Sequence, residues 1–213
     1  TQLPQSGRYH LYNSEGKRLF RDSFEEIELY EKIIFTKRNQ SDGHSWAIYD
    51  FEGKKKNLKN YQDYKLTEDG FFIGKQFGKF GMISAEGKEL SPFLFNQIDM
   101  KTQDRLVVQQ NAKKGLINDR GNWVITPYYD SIAVLDSHIY FEQGTNKGLA
   151  DWYGDILLRT QDSITYLRNA IAVIQEDSLY QLQSLRGEPL LEPLYDSISA
   201  LSDSEILDCV GLR

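Results

Sequence analysis

Residues 114–132 read Lys-Gly-Leu-Ile-Asn-Asp-Arg-Gly-Asn-Trp-Val-Ile-Thr-Pro-Tyr-Tyr-Asp-Ser-Ile. Within them Asn118-Asp119-Arg120-Gly121 sets a small polar residue, two variable ones and a glycine in a row. An Asn, Asp or Ser at the first corner of a turn bonds the backbone two residues on. A glycine at the fourth position accepts the left-handed conformation that closes a type I turn with a G1 bulge. This is hairpin chemistry. The pattern recurs at Asn13–Gly16, Asp50–Gly53, Ser84–Gly87, Asp151–Gly154 and Ser184–Gly187. The glycines at 16, 53, 87, 121, 154 and 187 are therefore spaced by 37, 34, 34, 33 and 33 residues. A fixed period of this length marks a repeat architecture.

The flanks repeat with the turns. Five residues before each glycine stands an apolar side chain: Leu11, Ile48, Met82, Leu116, Leu149 and Leu182. Eight residues after it comes an aromatic in five copies (Phe24, Tyr61, Phe95, Tyr129, Tyr195), and eleven after it Ile27, Tyr64, Ile98, Ile132 and Ile198. The fifth copy has lost one residue there, which brings Ile164 one place early. Each unit then supplies an apolar run such as Ile33-Ile34-Phe35 or Leu106-Val107-Val108. Connections are short and no long 3.6-residue stripe appears, so each unit reads as four short antiparallel strands and helices are expected to be nearly absent. Pro92, Pro127 and Pro193 fall after the second strand, where a missing N–H ends the pairing. The chain reads as one all-β repeat domain, 1–213. Its six units of about 34 residues span roughly 7–43, 44–77, 78–111, 112–145, 146–177 and 178–213.

Residues 114–132 resemble the unit of the WG (or KWG) repeat proteins, which runs Lys-Trp-Gly-Leu-Ile-Asp-x-x-Gly, then an apolar strand, Pro, Tyr, Asp and Ile. Phe80-Gly81-Met82-Ile83 and Trp46-Ala47-Ile48-Tyr49 match its opening with substitutions, and Leu194-Tyr195-Asp196-Ser197-Ile198 its close. The resemblance extends over residues 7–213, although no copy keeps Trp and Gly together. It implies a bacterial array, often exported or envelope-associated and without an assigned activity. A cytoplasmic location is the alternative. One small sheet cannot bury two faces alone, so neighbouring sheets must stack. A six-bladed propeller-like ring is expected, with an open β-superhelix or solenoid as the alternative.

Composition narrows the function classes. The chain has 25 Lys+Arg against 31 Asp+Glu, a net charge of −6, which argues against a nucleic-acid partner. No apolar run approaches the ~20 residues of a spanning helix. Cys209 is the single cysteine, so neither an internal disulfide nor a cysteine-based zinc site can form. His10, His44 and His138 sit at unrelated phases of the repeat without ligand spacing, with His44 read as part of the Ser41-Asp42-Gly43 loop. There is no phosphate loop, nucleophile elbow or calcium loop, and Gly70, Gly74 and Gly78 only punctuate strands. No cofactor and no metal are expected. The chain starts at Thr1-Gln2-Leu3-Pro4 without Met, which is compatible with leader removal or truncation.

Three features remain as candidate sites. Asp130 and Asp196, with Glu25, lie nine residues after their glycines. They are either acid/base carboxylates around a channel or caps on the entry to strand three, and recurrence with the repeat favours the cap. Lys54-Lys55-Lys56 with Lys59 suits a solvated edge better than an anionic partner. The turn tips carry charge in most copies, but Trp152-Tyr153 fills the fifth and Phe51 enters the second. Exposed aromatics of this kind suit a protein partner or a carbohydrate, and the alternative is that a neighbouring loop folds over them. The expectation is a non-catalytic scaffold that binds through Trp152, Tyr153 and Phe51, with a glycan-binding or glycan-processing propeller as the alternative.

Overall fold

The Asx-x-x-Gly segments form the turns their chemistry dictates. A computed structural model of the chain describes residues 8–30, 32–40, 43–56, 60–67, 70–102, 104–135, 137–167, 171–176, 179–185, 188–191, 195–200 and 207–211. The N–H of Gly16, Gly53, Gly87, Gly121 and Gly154 donates to the carbonyl three residues back, at 2.9–3.1 Å. All five glycines have positive φ, between 78° and 94°. The first-corner side chain clamps the same loop. Asn118 Oδ1 accepts from Arg120 N (3.1 Å) and Asn122 N (2.9 Å), and Asp151 Oδ1 from Tyr153 N and Asp155 N (both 2.9 Å). In the sixth turn Ser184 Oγ accepts from Glu188 N at 3.2 Å, while Gly187 lies outside the described residues.

The strands build five antiparallel sheets. The first holds β1 (Glu26–Leu29), β2 (Ile34–Gln40) and β3 (Gly43–Tyr49). The second holds β4 (Asp63–Leu66), β5 (Phe72–Gln76) and β6 (Lys79–Ile83). The third runs β7 (Gln97–Thr102), β8 (Arg105–Gln110), β9 (Lys113–Asn118) and β10 (Trp123–Tyr129). The fourth runs β11 (Ser131–Val134), β12 (Ile139–Gln143), β13 (Asn146–Ala150) and β14 (Ile156–Thr160). The fifth runs β15 (Ser163–Leu167), β16 (Ile171–Glu176), β17 (Leu179–Ser184), β18 (Tyr195–Ala200) and β19 (Leu207–Gly211). Bridges Tyr49–Lys55 and Trp46–Tyr61 add a fourth line to the first sheet, Ile83–Glu89 and Phe80–Phe95 to the second. Before them Tyr9 pairs with Phe24 and Tyr12 with Arg18 in a short N-terminal ladder. No helix occurs among the described residues, and none is long and apolar enough to cross a membrane.

Two expectations change. The sheets are half a repeat out of phase with the units: each takes two strands from the end of one unit and two from the start of the next. The tight Asx turns and the hairpins between β2 and β3 or β5 and β6 always join hydrogen-bonded neighbours. The chain can therefore leave a sheet only at the corner eight to ten residues after the glycine. There Tyr61 still pairs with Trp46 in the first sheet, and Asp63 already opens β4. Among the described residues there are five sheets and the N-terminal ladder, not six equal blades, and β18–β19 join the fifth sheet through the described pair Tyr180–Tyr195. Pro127 also lies inside a strand. β10 is an edge strand, so the absent N–H is tolerated.

Contacts gather the chain into two lobes, residues 1–111 with 117–123 and residues 112–116 with 124–213. In the first lobe, face-to-face stacking of the first and second sheets buries Phe35, Trp46, Ile48, Tyr61 and Phe72 in one cluster. The second and third sheets bury Met82, Phe95, Leu106, Val108 and Ile117. Every recurrent apolar position before a turn except Leu11 is buried, as are the recurrent aromatics Phe24, Tyr61, Phe95 and Tyr129. Trp46, at the tryptophan position of the unit, stands edge-on to Tyr64 at 4.8 Å and is a core residue. In the second lobe Leu149 and Leu158 pack with Leu185 and Ile164 across the fourth and fifth sheets.

Candidate functional site

The turns are placed by their own glycines. A Cβ on Gly121 would stand 2.3 Å from the carbonyl oxygen of Leu90, three residues beyond the preceding turn glycine. Gly53 meets Leu19 O at 3.3 Å and Gly87 the Lys56 side chain at 3.0 Å in the same relation, and in the second lobe Gly154 meets Val124 O at 2.4 Å. Successive turns of the first lobe therefore ride on one another's exit strands and share one edge.

The aromatic tips divide. Phe51 is 47% exposed at the second turn. At the fifth, Tyr153 stands 81% exposed, whereas Trp152 is half-buried, so the expected exposed pair reduces to one free ring. Beside it Tyr128 (51% exposed) and Ile156 (43%) flank a cavity of about 290 Å³ over Val124, Tyr129, Phe141 and Gly154. Tyr128 packs edge-on to Tyr129 at 5.4 Å, which fixes its ring. Tyr128 and Ile156 were not singled out from sequence, because alternation alone does not say which strand face a neighbouring sheet covers.

The recurrent carboxylate position caps a different turn from the expected entry to strand three, the tip of the next hairpin along the chain. Asp130 Oδ2 accepts from Gly144 N at 2.9 Å at the tip of the β12–β13 hairpin, and Oδ1 pairs with Lys113 Nζ. The hydrogen bond from Lys113 and then that from Gly144 hold the Asp130 carboxyl below the usual carboxylate range. Gln62 and Asn96, which occupy the same place in other copies, accept from Gly78 N (2.8 Å) and Asn111 N (3.4 Å). An amide serves as well as a carboxylate, so the position needs an acceptor oxygen and no ionisation. Asp196 is exposed on β18, and Glu25 lines a separate cavity described below.

The lysine run follows the edge reading. Lys55 bridges to Tyr49 and donates to Asn60 Oδ1 (2.7 Å), Lys56 lies 3.4 Å from Asp50, and Lys59 is outside the described residues. His44 stands within β3, which begins at Gly43, and not in a loop. Burial pushes the His138 imidazole down despite Asp151 nearby. Among the described residues no three His, Cys, Asp or Glu side chains cluster as metal ligands.

Two further features had no sequence signal. Glu28 accepts the hydroxyls of Tyr30 (2.8 Å) and Tyr64, whose ring stacks on Phe35 at 3.9 Å. Burial, then the Glu28 carboxylate, drives the Tyr64 phenol far above its ordinary range. Phe77 sits at the β5–β6 tip with φ 49° and is 89% exposed, a conformation unfavourable for a bulky residue.

Residues 115–136 match the family described as WG containing repeat. No curated protein matches the chain. Among solved structures the chain is similar to Hsv2 of Kluyveromyces lactis at 12% identity, covering 84% of this chain and 67% of that one with a TM-score of 0.32. It is similar to a eukaryotic initiation factor at 10% identity, covering 87% and 60% with a TM-score of 0.40. It is also similar to PorZ, a bacterial surface component of the type-IX secretion system of Porphyromonas gingivalis, at 10% identity, covering 97% and 36% with a TM-score of 0.31. The chain thus spans between about a third and two thirds of these proteins' lengths.

Proposed function

We propose that the chain is a non-catalytic scaffold of six WG-type units in a propeller-like array, bacterial and envelope-associated, that binds a protein partner through aromatic turn tips. The reading is carried by Tyr153, exposed at the tip of the fifth turn next in chain to Gly154, which lines a cavity flanked by exposed Tyr128 and Ile156. A tyrosine with four-fifths of its surface in water at a clamped turn tip is a preorganised anchor, and such anchors dominate interface energetics. Phe51 supplies a separate contact in the first lobe. A carbohydrate is the second reading, supported by the same two tyrosines, since a phenol face can stack on a sugar ring.

A photo-crosslinking amino acid at position 153, compared with one at exposed Glu15, tests this in the host. The expected result is one dominant protein adduct from position 153 that Tyr128→Ala and Ile156→Ser both suppress. Equal adducts from the two positions would reject the patch. Binding on a glycan array that Tyr153→Ala abolishes, without a protein adduct, would select the carbohydrate instead.

A further inference from the structure

An acidic chain carries one concentrated patch of guanidinium groups. In the first lobe Arg8, Arg18, Arg21 and Arg38 line a cavity of about 410 Å³ with Asp22 and Glu25. The backbone builds it. Tyr9 and Phe24 exchange hydrogen bonds of 2.7 and 3.0 Å in an antiparallel bridge, which sets Arg8 at the level of Glu25, with Arg21-Asp22 just ahead of the bridge in the chain. Arg38 arrives from β2, with its guanidinium carbon 4.7 Å from the centre of the buried Phe24 ring and Nη2 2.9 Å from Asp22 Oδ2. Ring and carboxylate together fix that guanidinium. Arg18 contacts His10, a side chain with no negative charge to offset it. Arg8 and Arg21 have no hydrogen bond or ion pair with any described residue. Lys55 adds to the same field, since its ammonium is pushed down by burial and then by Arg38.

Four guanidinium groups thus face two carboxylates, one of them already held by Arg38. Like charges gathered in a recess raise the local potential and favour a counter-ion. Guanidinium forks match the oxygens of tetrahedral anions in pairs, which an ammonium cannot do. We propose that this recess binds a small dianionic ester of the phosphate or sulfate class, with Arg18 and Arg38 pre-positioned and Arg8 and Arg21 closing on the ligand. The two carboxylates offset about half of the positive charge, so a monoanion gains little and a dianion fits. The volume is within the range of small-molecule sites, roughly 300–1,000 Å³. A recess also suits a soluble ester better than a flat bilayer. The site is independent of the aromatic patch.

The test is a titration of the arginine side-chain NMR signals with inorganic pyrophosphate, with sodium sulfate, acetate and phosphatidylglycerol vesicles as parallel arms. Saturable shifts of Arg18, Arg21 and Arg38 are expected with pyrophosphate and sulfate, weakening as salt rises. Arg21→Gln and Arg8→Gln each remove a charge-assisted hydrogen bond and are expected to weaken pyrophosphate binding about tenfold or more. Both side chains are exposed, so the remaining spectrum should stay unchanged. Undiminished affinity in both variants, acetate binding as tightly as pyrophosphate, or a response to vesicles alone would overturn the proposal.

Discussion

Replacing turn glycines by alanine separates two reasons for having glycine there. Gly16 and Gly121 share the same φ of 78°, so the conformational term of Gly→Ala is the same for both. A left-handed L-residue costs roughly 1–2 kcal/mol, part of it recovered because alanine also restricts the unfolded chain by about 0.4–1 kcal/mol. A Cβ at Gly16 meets nothing within 4 Å, and this net term is all Gly16→Ala should show. At Gly121 the Cβ would lie 2.3 Å from Leu90 O and 2.7 Å from Leu90 C, and backbone atoms cannot rotate away. The turn must move by about an ångström, an overpacking penalty of roughly 1–3 kcal/mol on top. Gly53, with Leu19 O at 3.3 Å, should fall between, and Gly154, with Val124 O at 2.4 Å, should match Gly121. Urea unfolding at constant m reads the series as midpoint shifts. Asparagine is the control: it tolerates the left-handed region, so Gly16→Asn should be nearly neutral while Gly121→Asn stays damaging. Equal losses at 16, 53 and 121 would refute the stacking of successive turns.

Three further outcomes follow from the cited geometry. Asp130→Asn should preserve slow hydrogen exchange at the Gly144 amide, as Gln62 and Asn96 do with oxygen alone in their copies, whereas Asp130→Ala should lose it. The Asp130 carboxyl is depressed in the fold, so its contribution is present above the unfolded pKa and lost as pH falls through the folded one, which a carboxyl NMR titration reads directly. Tyr64 and Tyr140 are raised, by burial first and then by Glu28 and Glu142, so both phenols should stay protonated in an absorbance titration while ordinary ones ionise near pH 10. Because the folded state then holds more protons than the unfolded, stability should fall as pH rises above about 10, and Tyr64→Phe should reduce that slope. Ala112, at φ 64° behind Asn111 at 51°, occupies the second corner of a two-residue hairpin that prefers Asn-Gly. Ala112→Gly should raise stability by up to about 1 kcal/mol in urea unfolding.

The turns were legible in sequence because each depends on contacts within five residues. Asn118 needs only Arg120 and Asn122 beside it, and Gly121 only its own φ. The recurrent apolar and aromatic positions were legible because they return at fixed steps from each glycine. The phase of the sheets was not. Nothing in Phe24, Tyr61 or Phe95 states that the chain changes sheet at the next residue, because that corner uses neither Gly nor Pro. Its signal was present in another form: Glu25, Gln62, Asn96 and Asp130 share an acceptor oxygen, a kinship hidden when only the acids are compared. The glycine of the Trp-Gly position was visible but unexplained. A Cβ on Gly81 would come within 2.9 Å of the Phe93 ring, one on Gly115 within 2.7 Å of Ile125 O, and one on Gly148 against both Phe141 and Leu158 O, so the neighbouring strand or ring fills the space of a side chain.

Comparison among the copies then separates scaffold from function. A residue type that returns at the same place in each unit is answering a demand the architecture makes every time: an Asx oxygen for the turn, a glycine against the next exit strand, an aromatic beneath the corner. Such positions cannot distinguish one partner from another, because every unit has them. Departures from the pattern carry no such obligation. Tyr153 replaces a polar tip with a ring in water, and Phe77 holds an exposed ring on an unfavourable backbone. Arg8, Arg18, Arg21 and Arg38 gather cations in a chain whose net charge is −6. Each would be disfavoured by solvation, strain or repulsion alone, and the architecture does not ask for them in every unit. Residues of that kind are where a repeat array can acquire a specific ligand without disturbing its stacking, and they are the positions at which binding should be sought.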